Sequence, residues 1–239
     1  HGDTKHVLLF PEDPYECFTM SAQALDLADR LQTPVFVMTD LDIGMNQRLC
    51  KPFDWDDAKA YDRGKVMTAE ELEAGKDFGR YLDVDGDGIP YRTYPGTHPT
   101  KGSYFTRGTT KDAYARYSEQ GNDYLYNVQR LLKKFETAKS LVPQPVLTPA
   151  KEAARFGVIH YGSTSPSMHE AMDALAEQGI HVNLLRVRAF PFPDEVAEFA
   201  ANHVKVFVVE QNRDAQLKTL LVNEAGINPA NLISKIGRA

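Results

Sequence analysis

The sequence predicts an α/β protein with parallel sheets, and three observations carry that prediction. Short apolar runs recur, at Val7-Leu8-Leu9-Phe10, Val35-Phe36-Val37-Met38 and Phe156-Gly157-Val158-Ile159-His160-Tyr161, each the length of a buried parallel strand. Segments with apolar residues three and four apart separate them, as helices do. The alternation is densest after residue 155, where strand and helix patterns succeed one another as in a small doubly wound domain.

Taken in order, Pro11 and Pro14 close the first apolar run. Residues 16–31 then place Phe18, Ala22, Leu25, Ala28 and Leu31 at helical spacing. Thr33-Pro34 breaks that helix before the second strand, giving a βαβ unit with a right-handed crossover. Asp40 and Asp42 follow at the C-terminal end of this strand, the edge where open parallel sheets collect ligands. From about 50 to 110 periodicity is lost among glycine, proline, tyrosine and aspartate, a pattern of functional or partner-held loops. Helical patterning returns over 112–141, and 142–154 reads as a linker opened by Val142-Pro143-Gln144-Pro145. Beyond it come a helix over 165–178 with Gly179 as its C-cap, a strand over 182–190, a helix over 193–203, a strand over 204–209 and a helix over 215–225. The expected domains are therefore 1–141 and 155–239.

Composition narrows the function classes. With 42% hydrophobic and 25% charged residues, the 239-residue chain is neither disordered nor fibrous. A net charge of −6 with scattered basic residues gives no nucleic-acid footprint, and no apolar run reaches the roughly 20 residues of a membrane span. Cys17 and Cys50 could pair or stay free. Two thiols alone neither ligate an iron–sulfur cluster nor build a structural zinc site, and a reducing, cytoplasmic setting is expected. The chain starts at His1 without a signal-peptide pattern and ends as a strand begins, so both ends read as cuts through a longer chain.

Several groups of residues could carry chemistry. Asp83, Asp85 and Asp87 with Gly88 open like an EF-hand loop, but Tyr94 stands where the bidentate Glu is required. Three close carboxylates repel unless a cation or a basic side chain neutralises them, so a cation site and an Asp/Gly-rich turn both stay open. Gly162-Ser163-Thr164-Ser165 joins a strand to a helix, either as an anion-binding turn or with Ser165 as a plain N-cap and Pro166 at N1. Residues 210–214 form a polar loop at the ligand edge, unless Asp214 simply caps the next helix. The block 95–109 mixes glycines and hydroxyls with His98, Lys101 and Arg107, fit for a carboxylate, a phosphate or a subunit boundary. The seven histidines lack a His-x-x-x-His pair, and no Gly-x-Ser-x-Gly elbow is present.

Three stretches go beyond patterning: His1-Gly2-Asp3 through Asp40-Leu41-Asp42-Ile43-Gly44-Met45-Asn46, Tyr81-Leu82-Asp83-Val84-Asp85-Gly86-Asp87-Gly88 through Phe105-Thr106-Arg107-Gly108, and Tyr161-Gly162-Ser163-Thr164 to Glu210-Gln211-Asn212-Arg213-Asp214. In this order they resemble the α subunit of 2-oxoacid:ferredoxin oxidoreductases of the 2-oxoglutarate type. The resemblance implies the second half of a thiamine-diphosphate pyrimidine-type domain followed by a transketolase-C-like domain. It also implies oxidative decarboxylation of a 2-oxoacid to acyl-coenzyme A, with electrons passed to ferredoxin. Thiamine diphosphate, its Mg²⁺ and an iron–sulfur cluster would be held mainly by a β subunit. The family's Tyr-Pro-Ile-Thr-Pro-like segment and its pyrimidine-contacting Glu lie upstream of the stretch matching His1, so no catalytic residue is expected here. Asp40, Asp42, Thr106, Arg107, Thr109 and Asp112 are carried over as substrate- or cofactor-proximal. Two other readings remain: a non-catalytic Asp-rich cation-binding interaction domain, and a subunit of another thiamine enzyme of the transketolase or dehydrogenase type.

Overall fold

The computed structural model describes residues 5–108 and 110–237. They form two compact units that do not follow the expected division at 142–154. Asp26–Pro34 and Ala58–Ala138 belong to one unit; Val7–Leu25, Val35–Asp57 and the chain from Lys139 onward belong to the other. Among the described residues no helix is long and apolar enough to cross a membrane.

The second unit contains two sheets. In the smaller, β1 (Val7–Leu9) pairs in parallel with β2 (Val35–Val37) and antiparallel with β6 (Ala189–Phe190). The helix α1 (Pro14–Leu31) joins β1 to β2, as the βαβ pattern predicts. Pro14 opens it, where a missing N–H costs nothing, and the Asp13 carboxylate accepts from the Glu16 amide at 2.7 Å. The buried stripe is Met20, Ala24, Leu27 and Leu31, which shares only Leu31 with the expected one; Leu25 is 76% exposed. Both stripes keep helical spacing, so sequence alone does not choose between them.

The larger sheet runs in the order β3 (Val146–Thr148), β5 (Val182–Arg186), β4 (Phe156–His160), β7 (Lys205–Glu210), β8 (Leu232–Ile236). All pairs are parallel except β3 with β5, so the stretch read as linker supplies an antiparallel edge strand. Helices α5 (Ser165–Glu177), α6 (Asp194–Ala201) and α7 (Gln216–Glu224) connect the parallel strands. Gly179 follows α5 with φ +73°, as a helix-ending glycine must. The expected single strand over 182–190 is two: at Val187 and Arg188 the chain leaves one sheet for the other. Val187 N–H donates to His160 O at 2.9 Å, and Phe10 N–H donates to Arg188 O at 2.8 Å. One core, with Phe10, Ile159, Val187, Phe190, Val196, Val208 and Leu221, fills the space around these strands. Each such side chain contributes roughly 1.5–3 kcal/mol by leaving water.

The first unit has little regular structure. A short helix, α3 (Ala69–Glu73), missed in the sequence, is held by a capping box in which the Thr68 hydroxyl and the Glu71 carboxylate accept from each other's amides. The long helix α4 (Gly121–Ala138) starts nine residues later than expected, because residues 112–120 turn instead. There the Asp112 carboxylate accepts from the amides of Tyr114 and Arg116, and such local bonds compete with helix formation. The irregular 80–111 segment has no sheet to satisfy its backbone, so α4 side chains do so. Asn127 donates to Lys111 O at 2.6 Å, Arg130 to Gly88 O at 2.9 Å and Thr137 to Asp87 O at 2.8 Å. Gly88 lies so close to α4 that a Cβ would stand 2.4 Å from Lys134 N; with φ +80°, only glycine fits.

Candidate functional site

In the second unit, the C-terminal ends of β1, β2 and β4 and the segment after β7 surround a cleft of about 410 Å³. Parallel strands bring such ends together. Phe10, Met38, Ile43 and Leu217 give it apolar walls, and Asp40, Tyr161, Gln211 and Asn212 give it polar points. A few fixed polar groups on an apolar wall are the usual make-up of a small-molecule site.

Asp40 is held through both of its carboxylate oxygens. One carboxylate oxygen N-caps α2 (Leu41–Met45), accepting from Ile43 N–H at 3.0 Å, while the other accepts from Ser163 Oγ at 2.5 Å. Gln211 Nε2 in turn donates to Ser163 Oγ at 3.4 Å. Gly162–Thr164 forms a 3₁₀ turn before α5, so Thr164 and not Ser165 precedes the helix, and neither hydroxyl caps it. Ser165 Oγ is buried without a hydrogen-bond partner, as is His160 Nδ1 on β4. Burial, with help from the Arg186 charge, pushes His160 down to about 4.

The polar segment after β7 turns inward. Glu210 is buried and accepts from the amides of Leu217 and Lys218, at 2.8 and 3.2 Å. The protein's own carboxylate thus occupies the N-terminus of α7, where the helix dipole favours negative charge. Asn212 links this to the cleft: its Nδ2 donates to Glu210 at 2.5 Å and reaches Tyr161 Oη at 3.5 Å, and its Oδ1 accepts from Gln216 N–H. Burial raises the Tyr161 hydroxyl above its ordinary range. Asp214, a cap in one of the two readings of this segment, is an exposed partner of Arg213. Ser163 and Glu210 lie in two segments singled out in the sequence, whereas Tyr161 was given no role there, since only its position at a strand end marks it.

The remaining expected residues fall differently. Asp42 is bound by Arg48 at 2.5 Å on the surface. Thr106, Arg107 and Asp112 belong to the first unit. There the Tyr81 hydroxyl lies 3.4 Å from Thr106 Oγ1, Arg107 stacks 5.6 Å from the Tyr117 ring centroid, and Asp112 is committed to its turn. Thr109 lies outside the described residues. Asp83, Asp85 and Asp87 do converge, with carboxylate oxygens within 4.8 Å of one another. Asp83 is taken up by the amides of Gly86 and Gly88, and Lys65 Nζ contacts Asp85 at 2.6 Å and Asp87 at 2.7 Å. An ammonium group therefore offsets part of the cluster's negative charge.

The chain's likeness to known proteins agrees with its motifs. Residues 154–237 match the family described as pyruvate:ferredoxin oxidoreductase core domain II. Over 99% of its length the chain is 30% identical to 2-oxoglutarate synthase subunit KorA of Methanothermobacter thermautotrophicus, spanning 61% of that protein. Over the same share it is 27% identical to 2-oxoacid:ferredoxin oxidoreductase 2, subunit alpha, of Aeropyrum pernix, spanning 36% of it. The fold is shared with 2-oxoglutarate:ferredoxin oxidoreductase from Magnetococcus marinus, solved with 2-oxoglutarate, coenzyme A and succinyl-CoA bound. That likeness covers all of this chain and 40% of the other, with a TM-score of 0.82 at 22% identity. The chain thus spans between about a third and three fifths of the relatives it matches.

Proposed function

We propose that this chain, similar almost end to end to α subunits of 2-oxoacid:ferredoxin oxidoreductases, is part of such a subunit. It would serve oxidative decarboxylation of a 2-oxoacid, 2-oxoglutarate by preference, with transfer of the acyl group to coenzyme A and of electrons to ferredoxin. The observation that carries this reading is the 30% identity to 2-oxoglutarate synthase subunit KorA over 99% of the chain. A β subunit and ferredoxin are the partners it implies.

The chain's donor groups fit a wall of a thiamine site rather than its anchor. Thiamine diphosphate, when bound, supplies the carbon nucleophile for the 2-oxo group. A diphosphate with Mg²⁺ needs free oxygen ligands, and in the one acidic cluster found among the described residues Lys65 already bonds two of the three aspartates. Cys17 and Cys50 fall short of the four ligands of an iron–sulfur cluster. In this reading the cofactors sit mainly on the partner subunit, and this chain offers apolar walls with Asp40 fixed among them. Asp42, Thr106, Arg107, Thr109 and Asp112 would lie near substrate or cofactor in the assembled enzyme.

The test is to produce the full-length subunit with its β subunit and assay coenzyme A-dependent reduction of a viologen dye. Turnover with 2-oxoglutarate supports the reading. A lack of turnover with every 2-oxoacid, in an enzyme loaded with thiamine diphosphate and clusters, overturns it.

A further inference from the structure

We propose that Arg80, Lys111 and Arg130, gathered around the Tyr81 ring in the first unit, form a binding site for a small multivalent oxyanion, a phosphate or carboxylate compound. Their charged groups stand 5.4, 5.0 and 5.7 Å from the Tyr81 ring centroid, and Arg80 is also 5.7 Å from the ring of Tyr104. Among the described residues no carboxylate lies within ion-pair distance of any of the three. The neighbouring acids are committed elsewhere: Asp83 to amides, Asp85 and Asp87 to Lys65, Asp77 to the Tyr114 hydroxyl, Asp112 to its turn.

The arrangement is costly as it stands. Arg130 is only 8% exposed; it donates to Gly88 O, but its Nε has no hydrogen-bond partner. One turn along α4, Lys134 is 5% exposed; its Nζ donates to Gln32 O at 3.5 Å and lies 5.8 Å from the Phe135 ring centroid. Burial first, and then the charges of Arg130 and Arg80, push Lys134 down to about 8. Like charges held together out of water raise the free energy unless an anion joins them. Contact with a ring face offsets only part of that cost. Arg80 and Lys111 are half-buried, so an anion can reach them from solvent, and guanidinium groups suit planar or tetrahedral oxyanions by paired donation. The inference does not depend on the redox reading above.

The experiment titrates the full chain at low ionic strength with inorganic pyrophosphate and, separately, with citrate, followed by calorimetry. Binding of either supports the site, and the tighter of the two tells phosphate from carboxylate as the source. R80Q/K111Q should weaken binding on the order of ten-fold or more, since each charge-assisted bond contributes a large part of such affinity. Lys133→Gln, an exposed change on the same helix, should leave it unaltered. Should R80Q/K111Q fail to fold, the unmodified chain still answers: pyrophosphate, and not equal ionic strength of sodium chloride, should slow acetylation of Lys111. No binding of either anion up to about 10 mM, far weaker than specific affinities, overturns the proposal. So does equal weakening by Lys133→Gln, or unprotected Lys111.

Discussion

The carboxylate of Glu16 on α1 accepts from two arginines at once, Arg186 at 2.7 and 3.0 Å and Arg188 at 2.9 and 3.1 Å. Glu12 adds a second contact to Arg186 at 3.1 Å. Both arginines flank the point where the chain leaves the larger sheet for the smaller, so Glu16, with Glu12 beside it, holds that crossing.

Glu16→Gln should therefore destabilise the protein by about 3 kcal/mol, because it leaves Arg186 buried with weakened pairing. Burial raises the Glu16 carboxyl, but the Arg186 hydrogen bond and the two guanidinium charges outweigh it and lower it below the usual range. A depressed carboxyl contributes stability above its unfolded value, near 4.5, that is lost as pH falls through the folded one. Denaturant unfolding between pH 6 and 3 should show a shallower acid loss in Glu16→Gln than in the unmodified chain.

Lys134→Met should stabilise the chain at neutral pH, by about 1–3 kcal/mol, since a buried and poorly paired cation is exchanged for an apolar side chain of similar length. The sign follows from its lowered proton affinity. The unfolded chain binds the Lys134 proton up to about 10.5 and the folded chain only to about 8, so its penalty is full below 8 and fades as pH rises between the two. The gap between variant and unmodified chain in thermal unfolding should close over that window. If this cation belongs to an anion site, the added stability comes with weaker pyrophosphate binding.

His160→Asn addresses the opposite end of the pH scale. His160 stays neutral in the fold down to about 4, whereas the unfolded chain takes up its proton near 6.5. Stability is lost as pH falls from 6.5 towards 4, and the variant should lose less over the same span, whatever its absolute stability.

Asp40→Ala removes a helix cap and the acceptor of the Ser163 hydroxyl together. A cost of about 1–2 kcal/mol is expected. Ser163→Ala, which removes only the second bond, should cost about half as much; equal costs would mean that the cap at α2 contributes nothing.

Calcium at micromolar concentration should leave the melting temperature of the unmodified chain unchanged, because Lys65 Nζ already bonds both Asp85 and Asp87. In Lys65→Ala the same addition should raise it. A calcium-dependent rise in the unmodified chain would favour a cation-binding module.

The sequence made the alternation of strands and helices legible because buried parallel strands are continuous apolar runs, and β1, β4 and β7 fall where those runs lie; β2 lies in one too, but it is an edge strand and Phe36 is 45% exposed. It was less informative where short-range polar bonds decide the backbone. Asp112 delays α4 and Thr68 with Glu71 makes α3, and neither effect shows in an apolar pattern. The edge strand β3 lies in a proline-rich stretch because edge positions tolerate residues that central strands do not. At the candidate site, Asp40 was visible from its place after a strand. Its partner Ser163 is 123 residues away, and Lys65 is 20 residues from Asp85, so neither pairing leaves a local trace.

The passage of one continuous stretch, Val182–Arg186 and then Ala189–Phe190, through both sheets has a consequence for how this protein can be divided. A fragment cut between 141 and 154 would separate β1 and β2 from the strand that closes their sheet, and would leave Arg186 and Arg188 without Glu16. Neither piece should behave as an autonomous folding module. In native-state hydrogen exchange the amides of β1 and β5 should open in a single cooperative event, and complementary fragments should regain structure only when mixed.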